Sequence, residues 1–93
     1  MPRQVVRLPE ELAVLVRSMH PDMKKLFKLA FSMLVADPHC GKILREELAG
    51  LRTLRVKNMR IVYRLSARKV VEVVAIGPRT TIYEETFRLI GGK

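Results

Sequence analysis

Ten basic residues fall between positions 42 and 79: Lys42, Arg45, Arg52, Arg55, Lys57, Arg60, Arg64, Arg68, Lys69 and Arg79. Only Glu46, Glu47 and Glu72 oppose them there. Cationic groups massed in this way attract polyanions, nucleic acid above all. Strand alternation sharpens the reading. In 59–66, Arg60, Val62, Arg64 and Ser66 share one face, with Met59, Ile61, Tyr63 and Leu65 on the other. In 51–57, Thr53, Arg55 and Lys57 share a face, with Leu54 and Val56 opposite. Arg55, Lys57 and Arg60 are thus expected to converge on the sheet face that packed helices leave open. Arg52 and Arg64, from the same two segments, are further candidates for phosphate contact. Such a patch holds phosphates through charge-assisted hydrogen bonds, and arginine suits bidentate contacts.

Other chemistries are disfavoured. Two histidines, His20 and His39, and one cysteine, Cys40, do not make the usual ligand set of a metal enzyme or a disulfide framework. No metal and no cofactor is expected. No apolar run approaches the roughly 18 residues of a membrane span, and MPRQVVRLPEE lacks the apolar core of a signal peptide. The expectation is a cytoplasmic protein with no membrane partner. Its net charge is +9, from 18 Lys+Arg against 9 Asp+Glu.

The elements that must position these residues follow from periodicity. Ninety-three residues suit one domain, 1–93. Residues 3–8 read as a short strand or an extended lead-in. Pro9, Glu10 and Glu11 open a helix carrying Leu12, Leu15, Val16 and Met19. Pro21 begins a second helix, whose Met23, Leu26, Phe27, Ala30, Phe31 and Leu34 draw one stripe. Asp37-Pro38 stops it. So short a connection predicts an antiparallel helical hairpin. Residues 51–57, 59–66 and 69–76 then read as a three-stranded antiparallel meander, with turns at Asn58 and Ala67-Arg68. The last strand is apolar enough to be buried on both faces. Gly77-Pro78 should break it. Residues 80–90 form a final helix, ended by Gly91-Gly92. The fold class expected is α+β: two N-terminal helices packed on one face of an antiparallel sheet, with a short C-terminal helix.

Several of these segments carry a family pattern. Gly41-Lys42-Ile43-Leu44, Ala49-Gly50-Leu51-Arg52-Thr53-Leu54-Arg55-Val56, Met59-Arg60-Ile61-Val62-Tyr63, Ala75-Ile76-Gly77-Pro78-Arg79 and Ile82-Tyr83 occur in order. Over essentially the whole chain this resembles the RelE/ParE toxin superfamily of toxin–antitoxin modules. The resemblance implies a compact RNase-like α+β fold. It also implies one of two activities, since fold alone does not give function. RelE-like members enter the ribosomal A site and cut mRNA. ParE-like members poison DNA gyrase and lack the nuclease residues.

Carried over by position, Arg60 matches the arginine of the Arg-Ile-x-Tyr strand, Arg79 the arginine after the glycine turn, and Tyr83 the tyrosine that follows. In RelE-like enzymes such residues do the chemistry, which needs no metal. The RNA 2′-OH attacks its adjacent phosphate, leaving a 2′,3′-cyclic phosphate and a free 5′-OH. Tyr83 is then the candidate base, Arg60 the ligand of the scissile phosphate, and Arg79 the stabiliser of developing charge. Met59 departs from the pattern where many relatives have an aromatic residue, and Pro78 where some have histidine. The reading expected is a ribosome-dependent mRNA endonuclease. Its alternatives are a gyrase poison and an inactive member that only binds RNA or an antitoxin. The partners implied are mRNA, the ribosome and an acidic antitoxin that folds on binding, a step in which the final helix is displaced or shifts.

Overall fold

Two prolines and their flanking charges set where the helices start. The computed structural model describes residues 5–66 and 70–90. Pro9 caps α1 (Glu10–Arg17), with Glu10 and Glu11 at its positive end and Arg17 in its last turn. His20 caps α2 (Pro21–Ala36), its Nδ1 accepting the Asp22 N–H at 3.2 Å. Proline at the first position of α2 loses no helical hydrogen bond. Phe27, Ala30 and Leu34 are the buried residues of α2, which is the stripe expected from spacing.

The strands are β1 (Val5–Arg7), β2 (Lys42–Ile43), β3 (Arg52–Val56), β4 (Met59–Leu65) and β5 (Val70–Pro78). A short 3₁₀ helix (Glu46–Leu48) lies between β2 and β3, and α3 (Ile82–Leu89) follows β5. The β3–β4–β5 meander is present as expected. The sheet is larger and mixed, however: its order is β1-β5-β4-β3-β2, and β1 runs parallel to β5. The reason is topological. After β1 the chain leaves through α1 and α2 and re-enters at the opposite edge as β2. Pairing of β1 on its outer side makes β5 an internal strand, consistent with its apolar sequence.

One side of the sheet packs on α1 and α2. Phe27, Ala30 and Leu34 meet Val56, Ile61, Tyr63, Val71, Val73 and Ile76. The other side packs on α3, where Ile82 meets Leu51, Val62 and Ala75. That face is therefore not left open along its whole length. A β-bulge in β5 explains how one strand serves both cores. Val62 pairs with Ala75 and Tyr63 with Val73, so Val74 is the extra residue. The bulge puts Val73 and Ile76 on the α2 side and Val74 and Ala75 on the α3 side.

The element ends also differ from the sequence reading. β3 stops at Val56, and Lys57-Asn58 form the turn to β4. β5 continues through Gly77 to Pro78, because these pair with Arg60 and Met59 and a terminal proline removes no ladder bond the strand needs. The expected turn at 67–68, the start of the last strand at 69 and the terminal glycines 91–92 lie outside the described residues, as do positions 3–4. Among the described residues, no helix is long and apolar enough to cross a membrane.

Candidate phosphate-binding site

The β3–β4 hairpin places Arg55 and Arg60 directly opposite each other. Their Cβ atoms are therefore about 5 Å apart on one face, where like charges repel. On its other flank Arg60 pairs with Gly77 of β5. Arg60 thus sits in the middle of three strands, between a cation and a residue with no side chain. A Cβ on Gly77 would lie 3.1 Å from Ile82 Cδ1 and 3.6 Å from Glu85 Oε2. Glycine here lets the first turns of α3 approach the sheet closely.

Arg60 is half-buried, and its Nε is buried without a hydrogen-bond partner. Thr53 Oγ1 is in the same condition. Thr53 precedes Arg55 by two on β3, so it shares the face of Arg55 and Arg60. Buried polar atoms are nearly always satisfied, and each exception calls for a ligand, a water or a functional reason. Sequence reading put Thr53 on this face but gave it no role. The available signal was a hydroxyl two residues before Arg55, on the same strand face.

Lys57 and Arg79 bring two more cations to this end of the sheet. Lys57 is the first turn residue, with φ +56°. Its carbonyl accepts Arg55 Nε at 3.0 Å, which anchors the Arg55 side chain to its own hairpin. The Arg79 N–H donates to the Asn58 carbonyl at 3.0 Å, so the chain leaving β5 is stitched to the same turn. Among the described residues none of Arg55, Lys57, Arg60 and Arg79 is in an ion pair, whereas Arg7, Arg17, Arg64 and Arg88 all are. Four cations without an ion-pair partner are thus carried by the β3–β4 hairpin and the end of β5.

Tyr83 lies in the first turn of α3 and is 37% exposed. With Leu48, Glu84 and Phe87 it lines an open recess of about 380 Å³. Among the described residues, no hydrogen bond joins Tyr83 to Arg60 or Arg79. Glu84 pairs with Arg88 at 4.0 Å.

Arg52 and Arg64 are not brought to this cluster. Arg52 pairs with Tyr63, which puts it on the α2 side, and its guanidinium donates to the His39 and Gly41 carbonyls at 3.2 and 3.1 Å. Arg64 shares the Arg60 face but lies four residues, about 13 Å, further along β4. It is held by Glu72 at 2.7 Å. Tyr63 belongs to the core: fully buried, it donates to the Pro38 carbonyl at 2.8 Å and accepts the Gly41 N–H at 2.9 Å. Cys40 is an exposed loop residue. No cluster of metal ligands occurs among the described residues.

Residues 8–83 match the family described as ParE toxin of type II toxin-antitoxin system, parDE. The chain belongs to this family. Solved structures agree with the fold. The toxin-antitoxin complex RelBE2 from Mycobacterium tuberculosis contains a chain 26% identical, with a TM-score of 0.70, covering 84% of this chain and 100% of that one. A mutant of the toxin RelE from E. coli in the free state gives a TM-score of 0.72 at 16% identity, covering 94% of this chain and 93% of that one. No curated protein sequence matches. This ParE-family chain is accordingly a member of the RelE/ParE superfamily, a toxin of a toxin–antitoxin module with the α+β architecture of RelE.

Proposed function

We propose that this toxin is a ribosome-dependent mRNA endonuclease that works without a metal. The observation that carries the reading is the unpaired cationic end of the sheet, with Arg60 Nε buried and unpartnered at its centre. A cross-strand arginine pair costs stability, and a bound phosphate would reverse that cost. In this reading Arg60 binds the scissile phosphate, with Arg55 and Lys57 on its neighbours. The 2′-oxygen attacks phosphorus, the bond to the 5′-oxygen breaks, that oxygen takes a proton from water, and the products are a 2′,3′-cyclic phosphate and a 5′-OH. Arg79 balances the charge that develops on phosphate or leaving oxygen. Tyr83, partly exposed, takes the 2′-OH proton once RNA occupies the site. Arg52 and Arg64 take outer phosphates only by giving up the partners described above.

A cognate antitoxin is the expected protein partner, as in the RelBE2 complex, and the cytoplasm the expected compartment. The second reading, a gyrase poison, is favoured by the ParE family match and by the lack, among the described residues, of a hydrogen bond from Tyr83 to Arg60 or Arg79. Induced expression separates the two. The endonuclease stops growth and creates new mRNA 5′ ends within coding regions. Arg60→Ala, Arg79→Ala and Tyr83→Ala each remove both effects. Growth arrest with intact mRNA and a DNA-damage response supports the gyrase reading instead.

A further inference from the structure

A carboxylate held beside a phosphate site repels the ligand unless the ligand brings it a donor. Glu85 of α3 is such a carboxylate. Its N–H donates to the Thr81 carbonyl at 3.1 Å, and the Thr81 hydroxyl donates to Glu85 Oε1 at 3.2 Å. One carboxylate oxygen is thereby tied to the start of the helix. The other, Oε2, is turned over Gly77, 3.6 Å from where a Cβ on that glycine would lie. Gly77 is the direct cross-strand partner of Arg60. Directly opposed strand positions have Cβ atoms about 5 Å apart. The carboxylate therefore stands over the position that flanks Arg60 on β5, and the Glu85 side chain is exposed.

Among the described residues Glu85 forms no ion pair, whereas Glu10, Glu72 and Glu84 are each paired with arginine. Its charge is close to Arg60 without neutralising it. The positive end of α3 accounts for acids in its first turn, Glu84 and Glu85 alike. It does not account for an oxygen turned onto the sheet beside an arginine. A ligand that carries both a phosphate and a hydrogen-bond donor accounts for it. A ribose carries a 2′-OH next to each phosphate, and a deoxyribose does not. A carboxylate accepts hydrogen bonds and donates none, so it rewards that hydroxyl and penalises its absence.

We propose that Glu85 is the residue by which this toxin distinguishes RNA from DNA. Its Oε2 accepts a hydrogen bond from a ribose 2′-OH beside the phosphate held by Arg60. That hydroxyl belongs to a neighbouring nucleotide, because the attacking 2′-OH gives its proton to Tyr83 in the reading above. The inference deepens that reading, and rests on it only in taking Arg60 as a phosphate ligand.

The test compares a uridine hexanucleotide with a deoxyuridine hexanucleotide, which differ only in the 2′-OH, by fluorescence anisotropy at one salt concentration. Wild type should bind the ribose strand about tenfold or more tightly. Glu85→Ala should bring the two affinities within about twofold of each other, mainly by strengthening deoxyribose binding. Glu84→Ala removes the same charge from the same helical turn and should raise both affinities alike, leaving their ratio unchanged. Equal binding of the two strands by wild type, or a preference that survives Glu85→Ala, overturns the inference. Arg60→Ala separates the two levels. If it weakens both strands while wild type shows no preference, the phosphate site stands and Glu85 alone loses its role. If it changes neither affinity, the phosphate reading falls and this inference falls with it.

Discussion

Arg55 and Arg60 face each other across the β3–β4 hairpin, and the Nε of Arg60 is buried without a partner. Either feature alone costs stability. In the proposed reading a bound phosphate offsets both costs. Replacing Arg60 by methionine keeps the aliphatic stem and removes both the repulsion and the unsatisfied donor. Arg60→Met should therefore hold or raise the melting temperature, by up to about 1 kcal/mol of added stability. It should also abolish growth arrest, with a loss of about 10²–10³ in cleavage rate. Calorimetry and an induction assay on the same variant check the two halves.

Tyr63 gives the opposite pattern. Its hydroxyl is the sole link between β4 and the loop carrying Pro38 and Gly41 that the described hydrogen bonds show through a tyrosine. Tyr63→Phe leaves a buried N–H and a buried carbonyl unsatisfied, and should cost about 1–3 kcal/mol in urea unfolding. Burial also holds the Tyr63 hydroxyl above its ordinary pKa of 10.0, against the lowering effect of the Gly41 N–H. The folded state thus prefers the neutral phenol. Its contribution is complete below pH 10 and is lost as pH rises towards the folded value. Wild type should lose stability more steeply than Tyr63→Phe above pH 10, measured as the difference between their melting temperatures.

Gly41 is coupled to the same hydroxyl. A Cβ there would overlap Tyr63 Oη and come within 2.9 Å of Tyr63 Cε1 and the Thr53 carbonyl. Gly41→Ala should cost about 1–3 kcal/mol by overpacking. In a Tyr63→Phe background the penalty should shrink, because one of the overlapping atoms has gone. A double-mutant cycle in urea reads the coupling.

Lys57 occupies the first turn position with φ +56°, a conformation that costs a side-chain-bearing residue. Lys57→Gly should stabilise the hairpin by about 1 kcal/mol. It also removes one cation of the four at the site, so RNA binding should weaken while the melting temperature rises. Fluorescence anisotropy with a single-stranded RNA, across a salt series, checks this. With four phosphate contacts the slope of log K against log salt is about −3 in wild type, and shallower by about 0.7 in the variant.

Much of this was legible in the residues themselves. The stripe of α2 and the β3–β4–β5 meander follow from period and turn chemistry, and the Arg55/Arg60 juxtaposition follows from strand alternation around Asn58. Three things were not. The parallel pairing of β1 depends on where two helices deliver the chain, which three residues, Val5–Arg7, do not encode. Burial of β5 on both faces was legible, but the bulge at Val74 is invisible in a strand whose residues are nearly all apolar, and the cover provided by α3 was missed. Arg52 was a candidate by its charge alone, since alternation already puts it with Leu54 and Val56, and Arg64 shares the Arg60 face, but alternation says nothing about the carboxylate waiting there. The same limit applies to Tyr83, whose neighbours Leu48 and Phe87 come from a 3₁₀ turn and from its own helix.

The most direct test uses purified toxin, programmed ribosomes and an mRNA with a radiolabelled 5′ end, with a single 2′-deoxy nucleotide placed at the cleaved position in a matched substrate. The account predicts cleavage of the normal mRNA to a fragment ending in a 2′,3′-cyclic phosphate, none of the deoxy substrate, and none by Arg60→Met. An mRNA left intact by wild-type toxin that still arrests growth, or a deoxy substrate cut as fast as the normal one, would contradict it.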